Sequence, residues 1–158
     1  MVDGRFEAPG RVKATTSGAA AAGTTAEREP SMELVRHLPA SDAASGLARP
    51  AVDLALGRGL ASPVADDVRR LADELLTQTG PRAGTRPLQL RVRTSARSVH
   101  VEVRWEGEAL DANTVLQWAA HSRRADPLAS IDRLADRWGL AEHDGAHCLW
   151  AEKAVPRR

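Results

Sequence analysis

Glu74 and Gln78 lie four residues apart in the stretch SPVADDVRRLADELLTQT, so on a helix they project from one side, beside an apolar stripe. Polar side chains in that position require a reason, because next to a buried surface they must be paired or solvated. His143, His147 and Cys148 form a second constellation, since imidazole and thiolate groups are ordinary zinc ligands. The turn signal Asp144-Gly145 separates the two histidines, and a loop running into a strand is the expected arrangement instead of a shared helical face. Serines and histidines occur, but without a Gly-x-Ser-x-Gly elbow. A P-loop and a dinucleotide fingerprint are also absent from the sequence.

The helix that would carry Glu74 is the clearest element of the chain. Val64, Val68, Leu71 and Leu75 recur at helical spacing with Leu76 beside them, which predicts a buried face. Ser62-Pro63 is a start signal, and Gly80-Pro81 predicts the stop after Thr79. Upstream, MELVRHL reads as a short strand ended by Pro39, and Ser41-Asp42 opens a helix to about Leu56. Leu47, Ala51 and Leu54 are expected on its inner face, with Pro50 kinking or breaking it near Arg49.

Downstream, Leu88, Leu90 and Val92 alternate with polar residues, as do Val99, Val101, Val103 and Trp105, which predicts a β-hairpin turning at Thr94 to Ser98. Its apolar face must meet helices and its charged face water, with Glu102 among arginines in cross-strand pairing. A helix is expected over Asp111 to Arg124, and another from Asp126-Pro127 carrying Leu128, Ile131, Leu134, Ala135 and Trp138 up to Gly139. A last strand, CLWAEK, falls within 147–155. Residues 1–30, rich in Ala, Gly and Thr without apolar periodicity, read as a disordered tail; 31–155 form one domain and 156–158 a short tail.

A chain of 158 residues with 42% hydrophobic content can bury a core, but only 3% aromatics leaves that core to Leu, Val and Ala. A net charge of +1 argues against a direct nucleic-acid or membrane-surface binder. The single cysteine, Cys148, offers no internal disulfide, and a reducing cytoplasm fits.

Asp73-Glu74-Leu75-Leu76-Thr77-Gln78 resembles the first box of the GHKL (Bergerat-fold) ATPases, in the branch of actinobacterial anti-sigma factors that are serine-protein kinases. Leu134-Ala135-Asp136-Arg137-Trp138-Gly139 and Leu149-Trp150-Ala151-Glu152 look like that branch's closing helix and final strand, with both tryptophans in the core. The resemblance covers about Met32 to Val155. It implies an α+β fold, a two-layer α/β sandwich with a mixed, mainly antiparallel sheet and helices on one face. For an active member it implies ATP and magnesium as cofactors, Glu74 as the catalytic base and Gln78 at the metal.

Three boxes depart from the family pattern. Gln78 stands where an asparagine holds magnesium, and one extra methylene matters at an octahedral ion with contacts of about 2.1 Å. Trp105 stands where an aspartate accepts from the adenine amino group, and an indole has no acceptor. Ala125-Asp126-Pro127-Leu128 stands where Gly-x-Gly-Leu offers amides to phosphates; Pro127 lacks the amide and Asp126 brings a negative charge. The expectation is a regulator resembling anti-sigma factors with nucleotide binding lost, without catalytic residues or metal. Its partner would be a protein, a sigma factor or an anti-sigma antagonist, and a homodimer is compatible with the family. The alternative is an active kinase.

Overall fold

Period-two alternation builds the sheet. In the computed structural model, which describes residues 32–60, 62–110 and 127–157, the strands are β1 (Met32–Leu38), β2 (Leu88–Thr94), β3 (Ser98–Trp105), β4 (Arg137–His143) and β5 (Ala146–Ala154). They form one sheet in the order β1-β2-β3-β5-β4. Each pairing is antiparallel, which corrects the expected mixed sheet among the described residues. Short hairpins join β2 to β3 and β4 to β5, and a hairpin can return only antiparallel. The β2–β3 turn falls where expected, closed by the Ser95 amide donating to the Ser98 carbonyl at 2.9 Å.

One face of this sheet is apolar. Leu90 opposes Val103 and Val92 opposes Val101, and all four are completely buried together with Leu149 and Ala151 of β5. The helices α1 (Ala44–Leu56), α2 (Ser62–Ala83) and α3 (Pro127–Leu134) cover that face, giving an α+β fold of two layers. The stripe of α2 lands as its spacing requires: Val68, Leu71 and Leu75 are fully buried and Val64 nearly so. Residues 1–31 and the expected helix over Asp111 to Arg124 lie outside the described residues.

Three expectations about element boundaries and faces are corrected. In α1 the buried residues include Ala44, Ala48, Ala51, Val52 and Ala55, while Leu47 and Leu54 are 55% and 60% exposed. Alanines at that spacing let the helix lie close against β1 and α2, where leucines would hold it off. The helix also runs unbroken through Pro50, which sits on the exposed side where the carbonyl it frees can be hydrated. Second, α2 continues past Gly80-Pro81 to Ala83. Thr79, whose hydroxyl donates to the Leu75 carbonyl at 2.8 Å, and Ala83 are buried along this last stretch of the helix. The glycine that follows the end is Gly84, at φ 63°.

Third, the expected helix through Trp138 ends at Leu134, and Arg137 onward is strand. Asp136 makes the change of direction. Its amide donates to the Glu152 carbonyl at 2.9 Å and its carboxylate accepts from the Ala154 amide at 2.7 Å, tying the chain to β5. Trp138 is nevertheless core, 5% exposed, its indole donating to Asp132 at 3.1 Å. Lys153 then closes the layer from β5, donating to the last carbonyl of α3 (Leu134, 2.9 Å) and pairing with Asp67 of α2 at 3.1 Å.

The loop after β3 is fastened to the end of α2. The Glu108 amide donates to the Arg82 carbonyl at 2.9 Å, and the Arg82 guanidinium donates to the Ala109 carbonyl at 3.1 Å. Gly107 passes so close that a Cβ would collide with the Arg82 carbonyl oxygen, and its φ is 140°. Gly107→Ala should therefore cost about 1–3 kcal/mol, read as a lower midpoint in urea unfolding. An unchanged midpoint would show that this fastening carries no strain.

Candidate functional site

Glu74 sits half-buried on α2 in a polar groove of about 350 Å³ between α2 and α3, shared with Arg70, Asp73, Ser130 and Arg133. Burial raises its pKa above the ordinary glutamate value, the neighbouring Asp73 carboxylate adds to this, and Arg133 opposes it. A carboxylate so placed is a somewhat stronger base than a free one, in a groove that also holds a hydroxyl and a guanidinium. Gln78 is half-buried one turn further on and does not line this groove. Helical spacing thus sets the two on one side of α2, as expected, without bringing them into one concavity.

Trp105 ends β3 inside the core, 1% exposed, with its indole donating to the Glu108 carbonyl at 2.8 Å. The ring lies tilted by 44° against the His147 imidazole, centroids 5.4 Å apart. Ala125 and Asp126 lie outside the described residues, and α3 begins at Pro127.

His143, His147 and Cys148 do not converge. His143 and His147 belong to the two strands of the β4–β5 hairpin, and His147 and Cys148, consecutive in β5, point to opposite faces. Burial pushes the Cys148 thiol up to about 12, which keeps it protonated and unreactive.

What sequence reasoning missed is how far the pairing on the sheet's other face reaches. The cross-strand pairing expected of Glu102 and the hairpin arginines extends over the whole face as an ion ladder with a member on every strand: Glu33, Arg91, Glu102, Glu152 and Arg137, in the spatial order of the strands. Glu102 is 8% exposed and also faces Arg104 at 3.2 Å and His100 at 3.2 Å. Arg91 Nε, Arg104 Nε, Arg137 Nε and Glu102 Oε1 are buried and lack an aligned hydrogen bond, so these groups attract mainly as charges. Trp150 belongs here and not to the core, correcting the expectation for it. Its indole stacks on His100 with centroids 5.6 Å apart at 17°, and crosses Gly139 where a Cβ would be 3.0–3.2 Å from the ring. The signal was present in the alternation Cys148-Leu149-Trp150-Ala151-Glu152, which puts Trp150 opposite in sense to Leu149.

His100 is the titratable centre of the ladder. Nε2 lies 3.2 Å from Glu102 and Nδ1 3.9 Å from Glu152, so both ring nitrogens face acceptors and the doubly protonated ring suits them best. Burial disfavours the cation and Arg93 opposes it, but the two carboxylates prevail and raise the pKa above the ordinary histidine value. Glu102 is lowered despite its burial because His100, Arg104 and Arg91 surround it; Glu152 is lowered by His100 and then Arg137.

No protein-family model matches the chain, and no curated protein matches it. Among the described residues, no helix is long and apolar enough to cross a membrane.

The raised His100 pKa has a definite pH signature. Its contribution is complete below about pH 6.5, the ordinary histidine value, and is lost as pH rises through the higher folded value. The carboxylates act in the opposite sense, contributing above the ordinary glutamate range and losing that contribution as pH falls through their lowered values. His100→Gln should flatten the alkaline decline in urea-unfolding stability that the unsubstituted chain shows. Parallel profiles for both proteins would refute this role.

Proposed function

We propose that the chain is a regulatory protein resembling anti-sigma factors, built on a GHKL-type sandwich, that binds a protein partner without using ATP. The observation that carries this reading is Trp105: at the place where the resemblance puts the adenine acceptor, a buried indole packs into the core and spends its one donor on Glu108 of its own chain. A ring held that way supplies no acceptor. The partner class that the resemblance implies is a sigma factor or an anti-sigma antagonist, in a cytoplasmic setting.

A second reading, an ATP- and magnesium-dependent serine-protein kinase, is favoured by one observation, the half-buried Glu74 with its raised pKa beside Ser130 and Arg133. The two readings separate in a thermal-shift titration with magnesium-ATP. A nucleotide held only by the folded state adds about 2.7 kcal/mol at a hundredfold excess over Kd. The regulator reading expects no shift; a magnesium-dependent rise abolished by Glu74→Ala or Gln78→Ala would replace it with the kinase. Trp105→Ala should lower stability by about 3 kcal/mol, and a change near zero would remove the observation on which the reading rests.

A further inference from the structure

A large apolar side chain exposed singly needs no partner, but several gathered at one place mark an interaction surface. Among the described residues, Met32, Val35, Leu47 and Leu54 are such side chains, and all belong to β1 or α1. Strand β1 ends the sheet and is bonded only to β2, so alternate residues turn their amides and carbonyls to an open edge. Helix α1 rests on β1 and β2, while α2 reaches further in over β3 and β5. On the α2 side, Arg49 and Asp53 of α1 pair with Asp73 and Arg69. Leu47 and Leu54, seven residues apart, fall on the flank turned away from those pairs and therefore over the open edge. Met32 shares the face of β1 that carries the buried Leu38, and Val35 lies on the other face. Apolar groups thus line the edge on both faces.

Edge strands are ordinarily guarded by proline, lysine, a bulge or a covering element. Strand β1 runs seven residues in unbroken register with β2 and contains neither proline nor lysine. The opposite edge, β4, exposes no large apolar side chain. From this edge and its self-complementary sequence we infer that β1 pairs antiparallel with β1 of a second copy of the chain. The two-fold axis stands perpendicular to the sheet at Val35, so the two sheets become one and the two α1 helices lie side by side. Residues opposed across such a pair must point to the same face, which places the axis on a residue and not between two. An axis at Arg36 or Glu33 would set like charges against each other. An axis at Val35 engages all seven residues: Met32 opposes Leu38, Glu33 opposes His37, Leu34 opposes Arg36, and Val35 meets itself. Glu33 keeps its own partner, Arg91 at 3.3 Å. What selects the second copy is the match of apolar with apolar and the absence of opposed like charges.

Sedimentation equilibrium of the full chain should give twice the single-chain mass of 16.9 kDa. Val35→Glu faces Arg91 within its own chain, which protects the fold, but opposes two carboxylates at the axis. It should sediment as a single chain with an unchanged circular dichroism spectrum. Glu142→Lys, on β4 at the other edge, should leave the doubled mass intact. Mild oxidation reads the register. Val35→Cys should form an interchain disulfide, its two Cα atoms lying about 4.5–5.5 Å apart. Glu33→Cys should form none, because the two copies of that residue lie four positions apart, about 13 Å. The native Cys148 is buried and takes no part. A single-chain mass for the unsubstituted protein would leave the edge to another protein or to residues preceding β1, and overturns the inference. A dimer that survives Val35→Glu, is lost in Glu142→Lys, or cross-links equally through Glu33→Cys overturns it as well.

Discussion

The packing of the α2 stripe onto the apolar face of the sheet is the contact on which the other elements depend. Helix α2 touches β2, β3 and β5 beneath it and both α1 and α3 beside it. Four of its side chains, Val64, Val68, Leu71 and Leu75, enter the core. Each contributes about 1.5–3 kcal/mol when removed from water. Remove that stripe and α1 loses its neighbour, α3 its support, and Lys153 the Asp67 carboxylate that it holds from β5. The Asp53–Arg69 pair at 2.7 Å joins α1 to the same helix from the solvent side, where it adds direction more than stability.

The sheet separates two kinds of energetics. On the helix side the interactions are dispersion and burial, with Trp105 and Trp138 as the large fillers and each indole donating within the chain. On the open side, charges hold one another across all five strands, and a carboxylate as buried as Glu102 is tolerable only because cations surround it.

Much of this was legible in local sequence. The hairpin, its turn, β1 and the buried face of α2 follow from periodicities of two and 3.6 residues, because burying one face requires that pattern. The start of α2 at Ser62 was legible for the same local reason, but its end was not. Gly80 and Pro81 are local stop signals, and the helix runs through them to a buried Ala83. Leu47 and Leu54 misled for the opposite reason, since size alone does not say which of two helical faces meets the core. For the candidate site, the placement of Glu74 and Gln78 on one side of α2 was readable, while the partners of Glu74 on α3 were not.

The class of the elements and most of their inward faces could be read from local sequence, since each depends on neighbours within about one turn or one strand. That residues 137–143 are a strand rests on long-range contacts, and so does the rest of the sheet's far edge: Leu134, Ala135 and Trp138 satisfy a helical period, but the bonds of Asp136 to β5 and the passage of Trp150 over Gly139 require an extended chain. Long-range pairing also sets the ion ladder, whose members on β1, β4 and β5 come from strands distant in sequence from the hairpin. Register between such strands is set by the core on the opposite face, and a charge pattern read along one strand does not contain it.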